Sequence, residues 1–325
     1  MRILLAASTF PPILDYLPPL LPEHQVVAAP DPAHLPALLP EADVLVPLGV
    51  PITEAVLAHA SRLRLVQQWG VGLDNVDIAA CTRRGIPVAN VPTAASGNAQ
   101  SVAEHALLLM MSLGRQIDVA RRNVRERRWG QPLGIALYRK TVGIIGLGDI
   151  GRELAQRCKA CGMRVLAVKR SVAPDLAPSL GLDWLGTPEQ LPRLLAESDF
   201  VVVCCPLNDE TRGLVGRTAL RQMKRSAYLV NVSRGGVVDH DALVEALDER
   251  WIAGAGLDVY WIEPVDPEDP VLRHPHVIAT PHIAGVTDAS YAGIAAVVAE
   301  NVRRLERGEP VRWCRNAEGI GMPRS

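Results

Sequence analysis

The sequence has no long apolar run, no excess of one charge and no internal repeat. None of its apolar stretches approaches the roughly 18 residues that a helix needs to cross a bilayer. Lys and Arg number 34, and Asp and Glu number 35. The net charge of −1 therefore gives no excess of positive charge that would attract nucleic acid or an anionic membrane. Pro11 and Pro12 cut the apolar start short, which favours a first strand over a signal peptide. We therefore predict neither nucleic acid nor a membrane as a partner.

The six cysteines show no disulfide framework. Their number and spacing do not fit a small secreted scaffold, so we expect reduced thiols in the cytoplasm. Cys158-x-x-Cys161 has the spacing of a redox or metal pair, but no second pair completes a site, and Cys204-Cys205 lies in an apolar strand. We interpret both pairs as core packing and predict no metal site.

The composition, with 48% apolar and 21% charged residues, is that of a globular chain, and 325 residues suffice for two domains. In the first ninety residues, short apolar segments alternate with helical patterns, which predicts a parallel α/β unit. The predicted strands are Ile3–Ala6, Gln25–Ala28, Val44–Val46, Leu65–Gln68 and Ile86–Ala89.

The central motif is Gly146-x-Gly148-x-x-Gly151, which follows an apolar strand and opens an amphipathic helix. Gly146 permits the tight turn, Gly148 lets the backbone approach a pyrophosphate, and Gly151 lets the helix pack on the sheet. Amide groups at the helix start then face the phosphates. The strand–turn–helix context favours dinucleotide binding over a merely structural turn.

The rest of the chain extends this unit. Further strands are predicted at 200–205, 227–232, 253–259 and 277–280, and a proline-rich loop at 174–192. One long helix is predicted from Asn98 to about Arg128, and a terminal helix over Ala289–Leu305. We therefore place one domain at 1–97, a doubly wound domain at 98–287, and a return to the first domain at 288–325.

Three polar motifs follow predicted strands of the doubly wound domain. They contain Arg234, Glu263 and His282. Ligands of open α/β sheets lie beyond the carboxyl ends of the strands, so we expect these side chains to form one site. Arginine can hold a carboxylate, histidine can transfer the proton that accompanies a hydride, and a carboxylate can orient the imidazole. A second candidate is the glycine loop Trp69–Asn75, for which a plain turn is the alternative.

These motifs resemble those of the D-isomer-specific 2-hydroxyacid dehydrogenase family, which includes glyoxylate/hydroxypyruvate reductases. The resemblance covers nearly the whole chain. The matching segments are G-V-G-L-D-N-V-D at 70–77, G-N-A-Q-S-V-A-E-H at 97–105, G-L-G-D-I-G at 146–151, C-P-L-N-D-E-T-R at 205–212, N-V-S-R-G-G-V-V-D at 231–239, G-L-D-V-Y-W-I-E-P at 256–264 and T-P-H-I-A-G at 280–285.

The resemblance implies a Rossmann doubly wound parallel sheet domain and a smaller, discontinuous, flavodoxin-like α/β substrate-binding domain, in a chain that forms homodimers. It also implies that Arg234 binds the substrate carboxylate and keto oxygen, that His282 is the acid/base and that Glu263 orients it. The amides of Val71 and Gly72 would hold the carboxylate. The cofactor contacts that it implies are Gly148, Asp149, Ile150, Pro206, Thr211, Val232, Ser233, Asp258, His282 and Gly285.

The residues after the second nucleotide strand are Lys169, Arg170 and Ser171. An acidic residue would bind the adenine ribose hydroxyls at this position, whereas two cations and a hydroxyl favour a 2′-phosphate. We therefore predict NADP as the preferred cofactor, with NAD possible. The alternative is that these are solvated surface cations.

The sequence thus predicts a cytoplasmic 2-ketoacid reductase of the glyoxylate/hydroxypyruvate type that forms a D-2-hydroxy acid. Because the chain ends near its last helix, we expect no C-terminal regulatory domain of the kind seen in longer phosphoglycerate dehydrogenases. Two alternatives stay open. One is a nucleotide-sensing, corepressor-like binding protein, and the other is a phosphite dehydrogenase that uses the same three residues.

Overall fold

The computed structural model describes residues 1–172 and 175–322. Its strands are β1 Arg2–Leu5, β2 Gln25–Ala28, β3 Val44–Val46, β4 Leu65–Gln67, β5 Val88–Ala89, β6 Thr141–Ile145, β7 Arg164–Val168, β8 Trp184–Gly186, β9 Phe200–Val203, β10 Tyr228–Asn231, β11 Gly254–Leu257 and β12 Val277–Ala279. Its α-helices are α1 Ile13–Tyr16, α2 Leu35–Leu38, α3 Glu54–Leu57, α4 Ile78–Arg83, α5 Asn98–Gly114, α6 Ile117–Arg125, α7 Asp149–Ala160, α8 Leu176–Ser179, α9 Leu191–Glu197, α10 Arg217–Gln222, α11 His240–Asp248, α12 Pro270–Arg273 and α13 Asp288–Glu306.

The chain divides into two compact units, one comprising Met1–Asn98 with the chain from Thr287 onward and the other Ala99–Val286. The first unit contains a five-stranded parallel sheet in the order β2-β1-β3-β4-β5. This is the flavodoxin-like order, so the predicted fold class of this unit is confirmed. Leu4, Leu45 and Val66 of its strands share a buried core with residues of the surrounding helices.

The returning chain completes the first unit. Thr287 caps α13, since its hydroxyl accepts a hydrogen bond from the N–H of Ser290 at 3.2 Å. On the buried face of α13, the ring of Tyr291 makes edge contacts with the rings of Tyr16 and Trp69, at centroid distances of 5.8 and 5.5 Å. The chain then runs back as an antiparallel neighbour of β5, where Cys314 pairs with Ala89.

The second unit contains a seven-stranded parallel sheet in the order β12-β11-β10-β9-β6-β7-β8. The order reverses between β6 and β9, which defines a doubly wound sheet and confirms the predicted Rossmann class. Alternate residues of its strands enter two different cores: Ile145 and Val203 belong to one, and Ile144 and Val202 to the other. The sheet is therefore buried on both faces, as the continuous apolar runs of its strands require.

Two sequence-based expectations were wrong. The single helix predicted from Asn98 to about Arg128 is two helices, because α5 ends at Gly114 and Gln116 takes a left-handed backbone conformation with φ of 49°. Glycine is common at such helix ends. The stretch 174–192, predicted to be a proline-rich loop, contains the strand β8, whose partner is β7. No helix within the described ranges is long and apolar enough to cross a membrane.

Candidate active site

Three loops at the carboxyl edge of the seven-stranded sheet carry the predicted catalytic residues. Arg234 follows β10, Glu263 follows β11 and His282 follows β12. These strands are neighbours, since β11 pairs with both β10 and β12. Parallel strands end at the same edge, so the topology gathers at one edge three residues that lie far apart in sequence.

His282 and Glu263 form a direct pair. The Nδ1 atom of His282 lies 2.6 Å from Oε2 of Glu263, and the side chains are 34% and 35% exposed. The other carboxylate oxygen, Oε1, accepts a hydrogen bond from the backbone N–H of Tyr260 at 3.0 Å. Both carboxylate oxygens are thus occupied, and the ring is oriented while remaining accessible from solvent.

The charge of Glu263 follows from its surroundings. Burial disfavours the carboxylate, but the hydrogen bond and positive charge of His282, the N–H of Tyr260 and the charge of Arg234 outweigh it. Together they lower the pKa of Glu263 below its usual value. Glu263 is therefore a carboxylate at neutral pH and can stabilise a protonated imidazole at His282.

A close backbone contact places Arg234 beside this pair. A Cβ atom at the neighbouring Gly235 would lie 2.1 Å from the carbonyl carbon of Tyr260, so only glycine allows the two loops to pack together. Asn231 holds the Arg234 loop, because its Nδ2 donates to the carbonyl of Arg234 at 2.9 Å and its Oδ1 accepts from Ser233. The predicted trio is thus assembled within one unit.

The turn that carries His282 is held by Asp258. The backbone of His282 is left-handed, with φ of 54°, a conformation that β-carbon sterics disfavour. The buried carboxylate of Asp258 accepts hydrogen bonds from the N–H groups of the next two residues, Ile283 at 2.9 Å and Ala284 at 2.8 Å. The hydroxyl of Thr280 donates to the same carboxylate at 2.6 Å. The predicted contact of Asp258 with the cofactor stays a prediction.

His105, to which the sequence assigned no role, extends this cluster. Its Nε2 lies 2.9 Å from the Thr280 hydroxyl and 3.5 Å from Oδ1 of Asp258. Burial lowers the pKa of His105 despite the nearby carboxylate, so the ring is neutral and donates through Nε2 to Thr280. Sequence patterns do not reveal this contact, because Thr280 lies 175 positions away.

The glycine turn has the predicted geometry. Gly146 has φ of 99°, and a Cβ atom there would lie 2.6 Å from the backbone nitrogen of Cys205. Gly151 packs so closely that a Cβ atom would lie 2.2 Å from the carbonyl oxygen of Gly146. Gly148 differs, because its Cβ position faces open space at the start of α7. A phosphate can therefore approach the backbone of Gly148 and the exposed Asp149, and the turn fits a dinucleotide.

The remaining predicted cofactor residues belong to the same unit. Lys169 comes directly after β7, followed by the exposed Arg170 and Ser171. Nη1 of Arg170 lies 3.3 Å from Oε2 of Glu210, in the loop after β9. Ile150 lies in the first turn of α7, and the other predicted contacts follow strands of the same sheet: Pro206 and Thr211 follow β9, Val232 and Ser233 follow β10, and Gly285 follows β12.

The predicted substrate loop belongs to the first unit. Val71 and Gly72 follow β4, with Val71 exposed and Gly70 in a positive-φ conformation of 119°. The carbonyls of Gly70, Val71 and Gly72 all accept hydrogen bonds from within this unit. The loop is therefore held in a fixed conformation.

The chain is similar to known proteins in sequence and in fold. A family model described as D-isomer specific 2-hydroxyacid dehydrogenase, NAD binding domain, matches residues 107–284. A glyoxylate reductase of Korarchaeum cryptofilum is 42% identical over 276 residues, which cover 83% of this chain and 81% of that protein. A D-3-phosphoglycerate dehydrogenase of Archaeoglobus fulgidus is 41% identical over 82% of this chain, which spans about half (49%) of that relative's length. The crystal structure of D-lactate dehydrogenase from Aquifex aeolicus complexed with NAD and lactic acid has a TM-score of 0.80 at 27% identity, covering 94% of this chain and 96% of that one.

Proposed function

We propose a specific reaction for this chain, which belongs to the D-isomer-specific 2-hydroxyacid dehydrogenase family of nicotinamide-dependent oxidoreductases. It reduces a 2-keto acid of the glyoxylate/hydroxypyruvate type to a D-2-hydroxy acid. The observation that carries the proposal is the 2.6 Å contact between His282 and Glu263 beside the loop of Arg234. An acid/base pair next to a fixed cation suits the reduction of an anionic carbonyl compound.

The proton path starts at His282. Since Nδ1 is bonded to Glu263, we assign Nε2 as the atom that gives the proton to the keto oxygen in reduction and takes it back in oxidation. Glu263 remains ionised throughout and stabilises the protonated ring. Glu263 also fixes the ring orientation, because its second oxygen is held by the N–H of Tyr260.

Arg234 and the amides of Val71 and Gly72 bind the substrate in this proposal. The planar guanidinium can donate two parallel hydrogen bonds to the carboxylate or polarise the keto oxygen. The turn at Gly146–Gly151 would hold the cofactor pyrophosphate, and when bound the nicotinamide supplies the hydride. We accordingly assign Ala99–Val286 as the nucleotide-binding domain and the other unit as the substrate-binding domain.

We propose NADPH as the preferred cofactor because no carboxylate occupies positions 169–171. Arg170 is paired with Glu210 in an exposed ion pair, which a 2′-phosphate can replace at small cost. Replacing Lys169 and Arg170 together by alanine should lower kcat/KM with NADPH by about ten- to a hundredfold and leave NADH kinetics unchanged. Arg225→Ala is the control, since this exposed arginine lies ahead of the amino end of β10.

The experiment that tests the reaction measures loss of reduced-nicotinamide absorbance with glyoxylate, hydroxypyruvate, pyruvate and phenylpyruvate. Parallel assays use oxidised cofactor with D-3-phosphoglycerate or phosphite. We expect the highest kcat/KM with glyoxylate or hydroxypyruvate, and loss of turnover in Arg234→Ala and His282→Ala. Turnover of phosphite or D-3-phosphoglycerate, with no turnover of any keto acid, would contradict the proposed substrate class. Tight nucleotide binding without any turnover would favour the corepressor-like alternative.

We also propose a homodimer that forms through the segment 108–138. This segment exposes large apolar side chains, with Leu133 93% and Trp129 78% exposed. A cavity of about 730 Å³ lies beside them, lined by residues that include Met111 and Tyr138. Burying such a surface against a second copy removes it from water. Light scattering should report a dimer for the wild type and for Leu14→Asp in the first unit, and a monomer for Leu133→Asp.

A reducing compartment such as the cytoplasm is the proposed location. All six cysteines are free thiols, and burial raises the pKa of the Cys158 thiol to about 12. Neutral, buried thiols of this kind fit core packing. Titration of thiols in denatured protein purified under non-reducing conditions should recover all six.

A further inference from the structure

Three consecutive carbonyl groups of the glycine loop point into the first unit. The carbonyl of Gly70 accepts a hydrogen bond from the N–H of Val91 at 2.8 Å. The carbonyl of Val71 accepts from Nδ2 of Asn90 at 2.7 Å. The carbonyl of Gly72 accepts from Nε2 of Gln68. Hydrogen bonds to its carbonyl oxygens thus hold the loop against the first unit.

These bonds determine where the amides point. In a planar trans peptide, the C=O of one residue and the N–H of the next point in opposite directions. Inward carbonyls at 70, 71 and 72 therefore turn the N–H groups of Val71, Gly72 and Leu73 outward. Within residues 1–172 and 175–322, these three N–H groups have no protein acceptor. They form a row of donors of the kind that binds carboxylates.

Asn90 is the side chain on which the middle peptide depends. It is buried directly after β5, and its amide could in principle present either its oxygen or its nitrogen to Val71. Arg315 resolves this choice, because its Nε donates to Oδ1 of Asn90 at 2.9 Å. The nitrogen end must then face the Val71 carbonyl.

The returning chain fixes Arg315 in turn. The N–H of Arg315 donates to the carbonyl of Val88 at 2.7 Å, and Oδ1 of Asn316 accepts from the N–H of Val88 at 2.9 Å. Residues 314–316 therefore run along β5 as an added antiparallel neighbour. A contact near the end of the described chain is thereby linked to the loop after β4.

We infer that Asn90, oriented by Arg315, is a positioning residue for the amides that bind the substrate carboxylate. The inference rests on the proposed function and adds to it two residues that do not themselves touch the substrate. Loss of the Asn90 donor should release the Val71 carbonyl and let the peptide rotate, so that the Gly72 N–H no longer faces the carboxylate. Substrate affinity should then fall, whereas cofactor binding should not.

The test compares Asn90→Asp with Asn301→Asp, a matched change at another buried asparagine of the same unit. Asn90→Asp retains the volume and a partner for Arg315 but has no donor for the Val71 carbonyl. Nδ2 of Asn301 donates instead to Oε1 of Gln67 at 2.7 Å and to the carbonyl of Arg312 at 3.1 Å, and not to a carbonyl of residues 70–72. Arg315→Met is the milder variant, since it removes no buried group.

We expect Asn90→Asp to raise KM for the best keto acid about tenfold or more and to weaken oxalate binding measured by calorimetry with bound cofactor to the same extent. Arg315→Met should raise KM about threefold, and Asn301→Asp should leave it unchanged even if the melting temperature falls. In Asn90→Asp and Arg315→Met, kcat and the Kd of the cofactor should stay near the wild-type values.

Other outcomes separate the inference from the reaction. Wild-type KM in Asn90→Asp and Arg315→Met, with turnover intact, would overturn the inference alone. Absent turnover of every keto acid, with oxalate binding weakened by Asn90→Asp, would overturn the proposed reaction and retain the role of Asn90. A wild-type protein that neither turns over keto acids nor binds oxalate would overturn both. An equal rise of KM in Asn301→Asp would show a general loss of stability instead.

Discussion

Two histidine–carboxylate pairs of the second unit are opposite in character. His282 lies 2.6 Å from Glu263, and about a third of each side chain is exposed. His105 lies 3.5 Å from Asp258, and these side chains are only 10% and 1% exposed. In the first pair, the pKa of Glu263 is lowered, because the hydrogen bonds and positive charges around the carboxylate outweigh its burial. In the second, burial lowers the pKa of His105 and keeps the ring neutral.

The comparison shows that residue type alone does not decide what such a pair does. An exposed pair in direct contact can gain and lose a proton with little rearrangement, which suits acid/base catalysis. A buried pair joined through the Thr280 hydroxyl can only donate and accept fixed hydrogen bonds, which suits holding a backbone turn. The second pair therefore supports the first, because Asp258 holds the amides that follow His282.

The largest effect should come from His282→Asn. Loss of the acid/base should lower kcat by about two to four orders of magnitude, while the Kd of the cofactor stays unchanged. Steady-state kinetics and cofactor titration measure the two quantities. His59→Asn, at an exposed histidine of the first unit, is the control. More than about a tenth of wild-type kcat in His282→Asn would remove His282 from the catalytic role.

The second-largest loss of kcat should come from Glu263→Gln. It keeps the shape of the side chain but removes the charge that stabilises a protonated His282. We expect kcat to fall about tenfold or more and the pH profile of the reduction to shift, because the imidazole loses its anionic partner. The measurement is kcat against pH, with Glu268→Gln as a control in the same loop, where Glu268 forms an ion pair with the exposed Arg273. An unshifted profile would contradict the role assigned to Glu263.

Thr280→Val should affect stability more than catalysis. It removes the hydroxyl that joins His105 to Asp258 and leaves two buried polar groups short of a partner. We expect the free energy of unfolding to fall by about 1–3 kcal/mol. Urea denaturation measures this loss, and Thr280→Ser should restore most of it. Equal stability of the valine and serine variants would show that the hydroxyl contributes nothing.

The smallest effect should come from His105→Gln, which should change how the folding stability depends on pH. Because the pKa of His105 is lowered on folding, the unfolded chain binds the proton more readily. Folding stability therefore decreases as pH falls through about 6.5, the ordinary histidine value, towards the folded-state pKa. Denaturation curves should show a shallower loss of stability on acidification in His105→Gln than in the wild type. His59→Gln should retain the wild-type slope.

Some features could be predicted because their signals are local. The glycine turn is encoded within six residues, and each residue of the predicted trio lies three to six positions after the end of an apolar strand. The break between α5 and α6 was missed, because the apolar periodicity continues through Gly114 and Gln116. Strand β8 was missed because its surroundings are rich in proline and its only strand partner within the described residues is β7. Local periodicity does not report such pairing.

The sequence by itself determined the α/β fold class and the glycine-rich turn after β6, and it predicted a common site for Arg234, Glu263 and His282. Only the tertiary structure decided which polar side chains support them. His105 reaches Thr280 across 175 positions, and Arg315 reaches Asn90 across 225. Motifs encode backbone turns and strand ends because these depend on neighbouring residues. Buried hydrogen-bond networks depend on side chains that meet only after the sheets have formed.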